Sequence, residues 1–214
     1  MLSLLPETIS GNILDLGCGD GGQCLKLLEL GASSVVGVDI SQNMIDLAIE
    51  KTSGNQRVSL RCCAVEDFTS TEASFDLVVS SLAFHYVKDL DALFRNIHTW
   101  LKDSGLLVFS MEHPIATCSQ DIHPGWLKDE NNEKICWMVD RYANEGIRHC
   151  RWFVDDVVKY HRTIAGIVNA LIDNGFIILR MLEPHATKSS EQEKPSLLEE
   201  RRRPPFLLIK AGKK

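Results

Sequence analysis

The sequence predicts an α/β fold, a mostly parallel sheet with helices on both faces, and three observations carry that prediction. Short apolar or β-branched runs alternate with amphipathic helical patterns along the 214-residue chain, the order that repeated strand–helix–strand units leave behind. The first run, Asn12–Leu16, passes directly into four glycines within six residues, Gly17-Cys18-Gly19-Asp20-Gly21-Gly22, with a helical pattern behind them. The run 75–80 is apolar throughout between Asp76 and Ser80, as a strand covered on both faces should be. With 44% hydrophobic and 24% charged residues, the chain reads as one ordinary domain, 1–214, long enough for a substantial core.

Strand one is Asn12–Leu16, and the helix after the glycines is expected at about 23–30, with Leu25, Leu27, Leu28 and Leu30 on or near its buried face. Gly31 stops it. Strand two is the β-branched run Ser34–Asp39; Ser41 then caps a helix over Gln42–Lys51 with Met44, Ile45, Ala48 and Ile49 as its stripe. Strand three is expected at 58–63 and strand four at 75–80. A helix at 91–101 carries Leu93, Phe94, Ile97 and Leu101, and Asp103-Ser104-Gly105 turns it into strand five, 106–111. From 113 to about 158 the alternation fails: tryptophans, charges and turn residues run on for longer than a plain loop of a compact domain. This stretch is expected to be an insertion over the ligand site. A helix at 163–174, closed by Gly175, leads into strand six, Phe176–Leu182. The polar stretch 183–204 shows no strong helix, and strand seven follows at 205–211, its prolines suiting a strand start.

The chemistry concentrates at strand ends. The spacing Gly17-x-Gly19-x-x-Gly22 fits a nucleotide-binding fingerprint, a weak signal alone. Asp15 sharpens it. A carboxylate there, with Asp20 in the turn, repels a diphosphate and favours a ligand bearing positive charge. Asp39 ends strand two, where an acid of an open α/β sheet takes ribose hydroxyls; capping the next helix is its alternative use, for which Ser41 is better suited. Glu66 and Asp67 follow strand three, either on a ligand or as a solvated acidic loop. Ser80, Ser81 and Leu82 stand at the carboxyl end of strand four, a ligand position in this architecture. His85 and His113 are candidate general bases or structural hydrogen-bonders, and His161-Arg162 reads as a cap or docking pair.

The run Asp15-Leu16-Gly17-Cys18-Gly19 resembles the first motif of class I S-adenosylmethionine-dependent methyltransferases. The likeness continues over Gly37-Val38-Asp39-Ile40-Ser41 with Met44, and the closing segments 160–163, 170–176 and 203–210 resemble the small-molecule branch of that family. The resemblance implies a Rossmann-like sheet of seven strands with strand seven antiparallel. It implies S-adenosylmethionine as cofactor and S-adenosylhomocysteine as product. Asp15, Gly17, Cys18, Gly19, Asp39 and Met44 are then cofactor residues, with Ile40 packing on the adenine. Glu66 or Asp67, or the Val65 backbone alone, meets the adenine edge, since Ala64 stands where the family places an acid. Ser80, Ser81 and Leu82 line the methionine side. His85, Tyr86, His113 and Trp137 would face the acceptor, with His85 and His113 the candidate catalytic residues. Trp126, Trp137 and Trp152 either shape an aromatic acceptor pocket or belong to the core. Family members carry an N-terminal helical cover over the cofactor; with strand one starting at residue 12, that cover is expected to be short.

The expected activity is methyl transfer to a small molecule, with two alternatives: a cofactor-binding regulatory subunit without transfer, or a nicotinamide-dependent oxidoreductase. Ser80-Ser81-Leu82-Ala83 stands where methylation of nucleic-acid bases or protein glutamine favours an Asn-Pro-Pro-Tyr-type tetrapeptide. The net charge of −6 gives no electrostatic reason to expect nucleic acid, and Arg201-Arg202-Arg203 is expected in a solvated loop. No run approaches the ~20 apolar residues of a membrane span. The seven cysteines are odd in number and form no C-x-x-C, so neither a disulfide framework nor a metal cluster is expected. A cytoplasmic monomer or homodimer is the resulting expectation.

Overall fold

The computed structural model describes residues 2–119, 125–150 and 156–214. The first half runs β1 (Asn12–Leu16), α1 (Gly22–Glu29), β2 (Ser34–Asp39), α2 (Gln42–Lys51), β3 (Val58–Cys62), β4 (Phe75–Ser81), α3 (Leu90–Trp100) and β5 (Leu101–Glu112). It continues with α4 (Pro114–Thr117), β6 (Trp126–Lys128), β7 (Lys134–Trp137), β8 (Gly146–Cys150) and β9 (Val157–His161). Last come α5 (Ile164–Asp173), β10 (Phe176–Leu182), α6 (Lys188–Glu193) and β11 (Phe206–Lys213).

Seven strands form one sheet in the order β10-β11-β5-β4-β1-β2-β3. Pairings among β1 to β5 are parallel, and β11 runs antiparallel to both β5 and β10, the arrangement the resemblance implied. The strand order reverses beside β1, which opens a crevice at the carboxyl ends of β1, β2 and β4. Alternation along β1 sorts the core: Ile13 packs toward α1 and α2 with Leu27, Val35 and Ile45, while Leu14 and Leu16 pack toward α3 and α5. On the second face Phe84, Phe94 and Phe109 stack with ring centroids 5.0 to 6.0 Å apart. Gly31 ends α1 at φ +112, where a Cβ would meet the Ile9 carbonyl at 2.4 Å.

Several expectations are corrected. Strand β5 begins at Leu101, directly after α3, and absorbs the expected Asp103-Ser104-Gly105 turn as a bulge. Phe75 faces Leu101 and Leu77 faces Leu106, so the extra residues bow out, with Ser104 at φ +63. His85 and Tyr86 lie in a 3₁₀ turn, Phe84–Tyr86, ahead of α3, which runs one residue earlier than expected and is capped by Asp89, which accepts from the Ala92 N–H at 2.9 Å. The stretch 183–204 holds α6 and a 3₁₀ helix, Pro195–Arg201. Among the described residues, the stretch after β5 holds α4 and two antiparallel pairs, β6–β7 and β8–β9. His161 and Arg162 dock and do not cap: the His161 ring bonds Thr117 Oγ1 at 2.8 Å and the Tyr142 carbonyl, and Arg162 donates to the Val87 and Lys88 carbonyls at 2.8 Å. The cap of α5 is Thr163. No described helix is long and apolar enough to cross a membrane, and among the described residues no His/Cys/Asp/Glu group is placed to hold a metal ion.

Candidate functional site

The crevice holds a cavity of about 570 Å³. Gly17 forms its floor at φ +81, where a Cβ would lie 2.5 Å from that of Ala83. The glycine turn folds its own amides inward. Gly17 and Cys18 both donate to the Val38 carbonyl, at 2.7 and 2.9 Å, and Gly21 donates to the Cys18 carbonyl at 3.1 Å. Gly19 donates to Asp39 Oδ2 at 2.9 Å and Gly22 to Asp20 Oδ1 at 3.0 Å. Five N–H groups that a diphosphate would need are already engaged, and Asp20 is paired with Lys51.

Asp39 stands on the wall, its Oδ1 accepting from the Ser41 N–H at 2.9 Å. Each carboxylate oxygen thus keeps a lone pair, enough to receive a vicinal diol. Beside it Ile40 is 73% exposed, an unusual position for a large apolar side chain, and its face is open to a flat ring. Across the cavity Ala64 and Val65 supply a small apolar edge, and Glu66 and Asp67 supply carboxylates; Glu66 Oε1 also takes the Lys88 N–H at 3.2 Å. Ser81 and Leu82 close the β4 side. Leu82 sits at φ +56, a conformation costing a branched side chain about 1 kcal/mol, and its N–H is held by the Ser110 carbonyl at 2.9 Å.

The structure therefore brings Gly17, Asp39, Ile40, Val65, Glu66, Ser81, Leu82 and Tyr86 together around one cavity. Cys18 is buried in the core behind the turn, Gly19 reaches the site through Asp39, and Met44 is exposed on the first turn of α2. Asp15 is wholly buried and does not line the cavity. Its carboxyl accepts from Gln23 Nε2 at 2.9 Å and from the Cys24 thiol at 3.6 Å, and burial pushes it up to about 7. The negative charge that the cavity offers comes from Asp39, Glu66 and Asp67. Ser80 is also buried, its hydroxyl donating to the Leu16 carbonyl at 2.7 Å.

The candidate acceptor residues are spread out. His85 is 2% exposed; its Nδ1 accepts from the Glu112 N–H at 3.4 Å, and burial, with the nearby Lys159 charge, holds the imidazole down at about 3. His113 is 1% exposed, caps α4 through Nδ1 and meets Glu183 at 2.9 Å through Nε2. Trp137 lines a second cavity on β7, and Trp152 lies outside the described residues. Tyr86 alone of the group lines the first cavity, and burial raises its phenol above the usual range, so it is a proton donor at neutral pH.

Sequence reasoning missed the pair behind Tyr86. Lys159 Nζ lies 5.8 Å from the Tyr86 ring centroid and 2.5 Å from Glu112 Oε1. Glu112 carried a findable signal, the carboxyl end of a parallel strand. Lys159, on a hairpin 47 residues away, carried none.

Comparison with known proteins agrees with this geometry. The family described as "Methyltransferase domain" matches residues 14–109, the segment that builds the cavity wall from β1 to β5. A Haemophilus influenzae protein of uncharacterized function is 38% identical over 218 residues, covering 100% of this chain and 85% of its own. Phosphoethanolamine N-methyltransferase 1 of Triticum aestivum is 37% identical over 105 residues, which cover 46% of this chain and 20% of the plant protein. The S-adenosylmethionine-dependent methyltransferase of Mesorhizobium loti superposes with a TM-score of 0.91 at 39% identity, covering 99% of this chain and 95% of the other. A match of that extent joins the motif, the sheet order and the inward-folded glycine turn: the chain belongs to the S-adenosylmethionine-dependent methyltransferases.

Proposed function

We propose that this methyltransferase acts on a small molecule that reaches the cofactor past Tyr86. The observation that carries the reading is the pairing of Asp39 with a glycine turn whose amides are internally bonded. Such a wall receives a ribose diol and an adenine edge and gives a diphosphate nothing to bind. When bound, S-adenosylmethionine would supply an electrophilic methyl carbon, which an acceptor lone pair would take as the carbon–sulfur bond breaks and S-adenosylhomocysteine leaves. The chain's own part is alignment and exclusion of water. Asp39 fixes the ribose, Ile40 and Val65 flank the base, and the Ser81–Leu82 corner lies at the methionine side. Glu66 and Asp67 add negative charge that favours a cationic cofactor.

The single domain, 1–214, then uses the segment 113–158 as a cover on the acceptor side, and Tyr86, braced by Lys159 and Glu112, orients the acceptor by donating a hydrogen bond. At about 3 the His85 imidazole is too weak a base to hold a proton near neutral pH, and His113 is engaged at both ring nitrogens. In this reading both histidines position the end of β5, and an acceptor that is already deprotonated or carries a free lone pair is preferred. The partial relatedness to phosphoethanolamine methyltransferases supports a small acceptor without naming one, because the match spans under half of the chain.

Calorimetric titration with S-adenosylhomocysteine and with NAD tests the reading. Wild type is expected to bind the first and not the second, and Asp39→Ala to weaken the first by about tenfold or more, the loss of two charge-assisted hydrogen bonds. Binding of NAD in preference to S-adenosylhomocysteine would overturn it. Homocysteine-analogue binding without turnover on any panel of small nucleophiles would favour a regulatory subunit.

A further inference from the structure

A second cavity, of about 280 Å³, opens between Ile115, the β6–β7 hairpin and the segment before β11. Its walls are two indoles and two guanidinium groups. Trp126 and Trp137 face each other across the hairpin, ring centroids 5.6 Å apart and nearly perpendicular. Arg202 stacks 4.4 Å from the Trp126 centroid and Arg203 stacks 4.0 Å from that of Trp137. The sequence placed this arginine run in a solvated loop; the structure folds two of the three onto tryptophan faces.

The two arginines differ in what holds them. Arg202 donates to the Lys134 and Ile135 carbonyls, at 3.0 and 2.5 Å, and so anchors the hairpin. Arg203 has no such anchor: its Nε is shielded from solvent and, among the described residues, meets no hydrogen-bond acceptor. An unsatisfied buried donor costs about 1–3 kcal/mol, more when it is charged. The backbone gives this side chain little freedom to escape, since Pro204 and Pro205 follow it and the Pro205 carbonyl accepts from the His113 N–H at 2.9 Å. That bond also fixes the location: Arg203 stands at the carboxyl end of β5, on the same edge of the sheet as the cofactor cavity.

The charge balance of the neighbourhood favours an anion. Arg202, Arg203, Lys134 and Lys159 gather near Glu112, Glu199 and Glu200; Lys159 pairs with Glu112 and Lys134 with Glu199, which leaves the two stacked arginines against Glu200 alone, one positive charge in excess. The aromatic walls exclude water and favour a flat or apolar body attached to the anion. Trp137 is held rigid by its own donation to the Ile115 carbonyl at 3.3 Å.

We propose that this cavity binds the non-reacting, anionic end of the acceptor: a small organic carboxylate or phosphate whose charged group meets Arg203 and whose body lies along the cavity wall that Trp126, Trp137 and Val139 form. A guanidinium presents paired N–H groups in the geometry that both anions match. Assigning the anion to the acceptor rests on the methyltransferase reading; the binding of the anion does not. Glu112 connects the two regions, since it lies within electrostatic range of Arg203 and contacts the lysine that braces Tyr86.

The test is a tryptophan-fluorescence titration of the full chain with phenylacetate, phenyl phosphate and the neutral phenylacetamide. Saturable quenching by either anion, with none by the amide over the same concentrations, is the expected result, and the better of the two identifies the charged group. Arg203→Gln is expected to weaken the anion by about tenfold or more, and Arg203→Lys, which keeps the charge but not the paired donors, by less. Quenching by the amide equal to that by the anions, quenching by none of the three, or an anion affinity unchanged in Arg203→Gln would overturn the proposal. S-adenosylhomocysteine titrated into the same preparations separates the two readings. Retained cofactor-product binding in Arg203→Gln shows an intact fold, and its absence in wild type would overturn the methyltransferase reading while leaving the anion result readable. Should Arg203→Gln fail to fold, Arg203→Lys carries the same comparison, and an anion affinity equal to that of wild type would overturn the proposal.

Discussion

Asp15 shows how a motif residue can change role between sequence and structure. As a spacing it reads as an exposed charge beside the glycine turn; in the fold it is a fully buried carboxyl, bonded to Gln23 and Cys24 and pushed by burial up to about 7. Because its folded value lies above the ordinary aspartate value of 3.8, the native state holds the proton more tightly than the unfolded chain. The stability it contributes is fully present below about pH 4 and is lost as pH rises through about 7. Urea unfolding of wild type and Asp15→Asn across pH 5 to 8 is expected to show the asparagine variant with the flatter profile. Relative to wild type it gains about 1.4 kcal/mol for each pH unit climbed below 7, and the gain levels off above that. His85 slopes the other way. Its folded value, about 3, lies below 6.5, so its contribution is present above pH 6.5 and declines as pH falls toward 3. The two opposing slopes overlap between about pH 4 and 6.5, so wild type alone reports neither and the single variants are needed.

Elements joined by local signals were legible, and those joined at long range were not. The bounds of β1, β2, α2 and β10 follow from apolar runs and caps that neighbouring residues settle among themselves. Strands β6, β7 and β8 carry little burial alternation, β9 alternates but buries the polar Lys159 and His161, and α6, Lys-Ser-Ser-Glu-Gln-Glu, has no apolar stripe, so hydrophobic periodicity had nothing to detect. The site divides in the same way. The glycine turn, Asp39 and Ile40 lie within one strand–turn–helix unit and its neighbour, whereas Arg203 over Trp137 and Lys159 over Tyr86 exist only after the chain has folded back. The junction of α5 shows how such long-range elements are fastened. Thr163 caps the helix by accepting from the Gly166 N–H at 2.9 Å, and both its N–H and its hydroxyl donate to Glu145 at 2.8 Å. Gly166 leaves the space, since a Cβ there would lie 2.4 Å from Glu145 Oε1. Thr163→Ala is expected to lower the unfolding free energy by about 1–2 kcal/mol, and Thr163→Ser by much less, measured by urea denaturation.

At the scale of the whole molecule, the cofactor half and the stretch after β5 meet at a small set of polar fastenings, and the most buried is Lys159 with Glu112. Their side chains are 8% and 20% exposed, the ammonium lies over Tyr86, and His85 Nε2 is 4.0 Å from the same carboxylate. A pair so placed is worth little as a net source of stability, because desolvating both charges offsets most of their attraction, yet removing one partner strands the other. Lys159→Met is therefore expected to destabilise by about 3 kcal/mol, and Lys159→Met with Glu112→Gln to recover roughly half of that, a coupling that chemical denaturation of the four proteins measures. The same cycle read as S-adenosylhomocysteine affinity should be flat by comparison, since Asp39 and Ile40 stand on β2 and the loop behind it, away from the pair. Coupling in stability without coupling in cofactor affinity would identify Lys159 and Glu112 as the joint that sets Tyr86 toward the acceptor. Strictly additive stabilities would instead mean that the two charges are solvated independently, and Tyr86 would then need another source of its orientation.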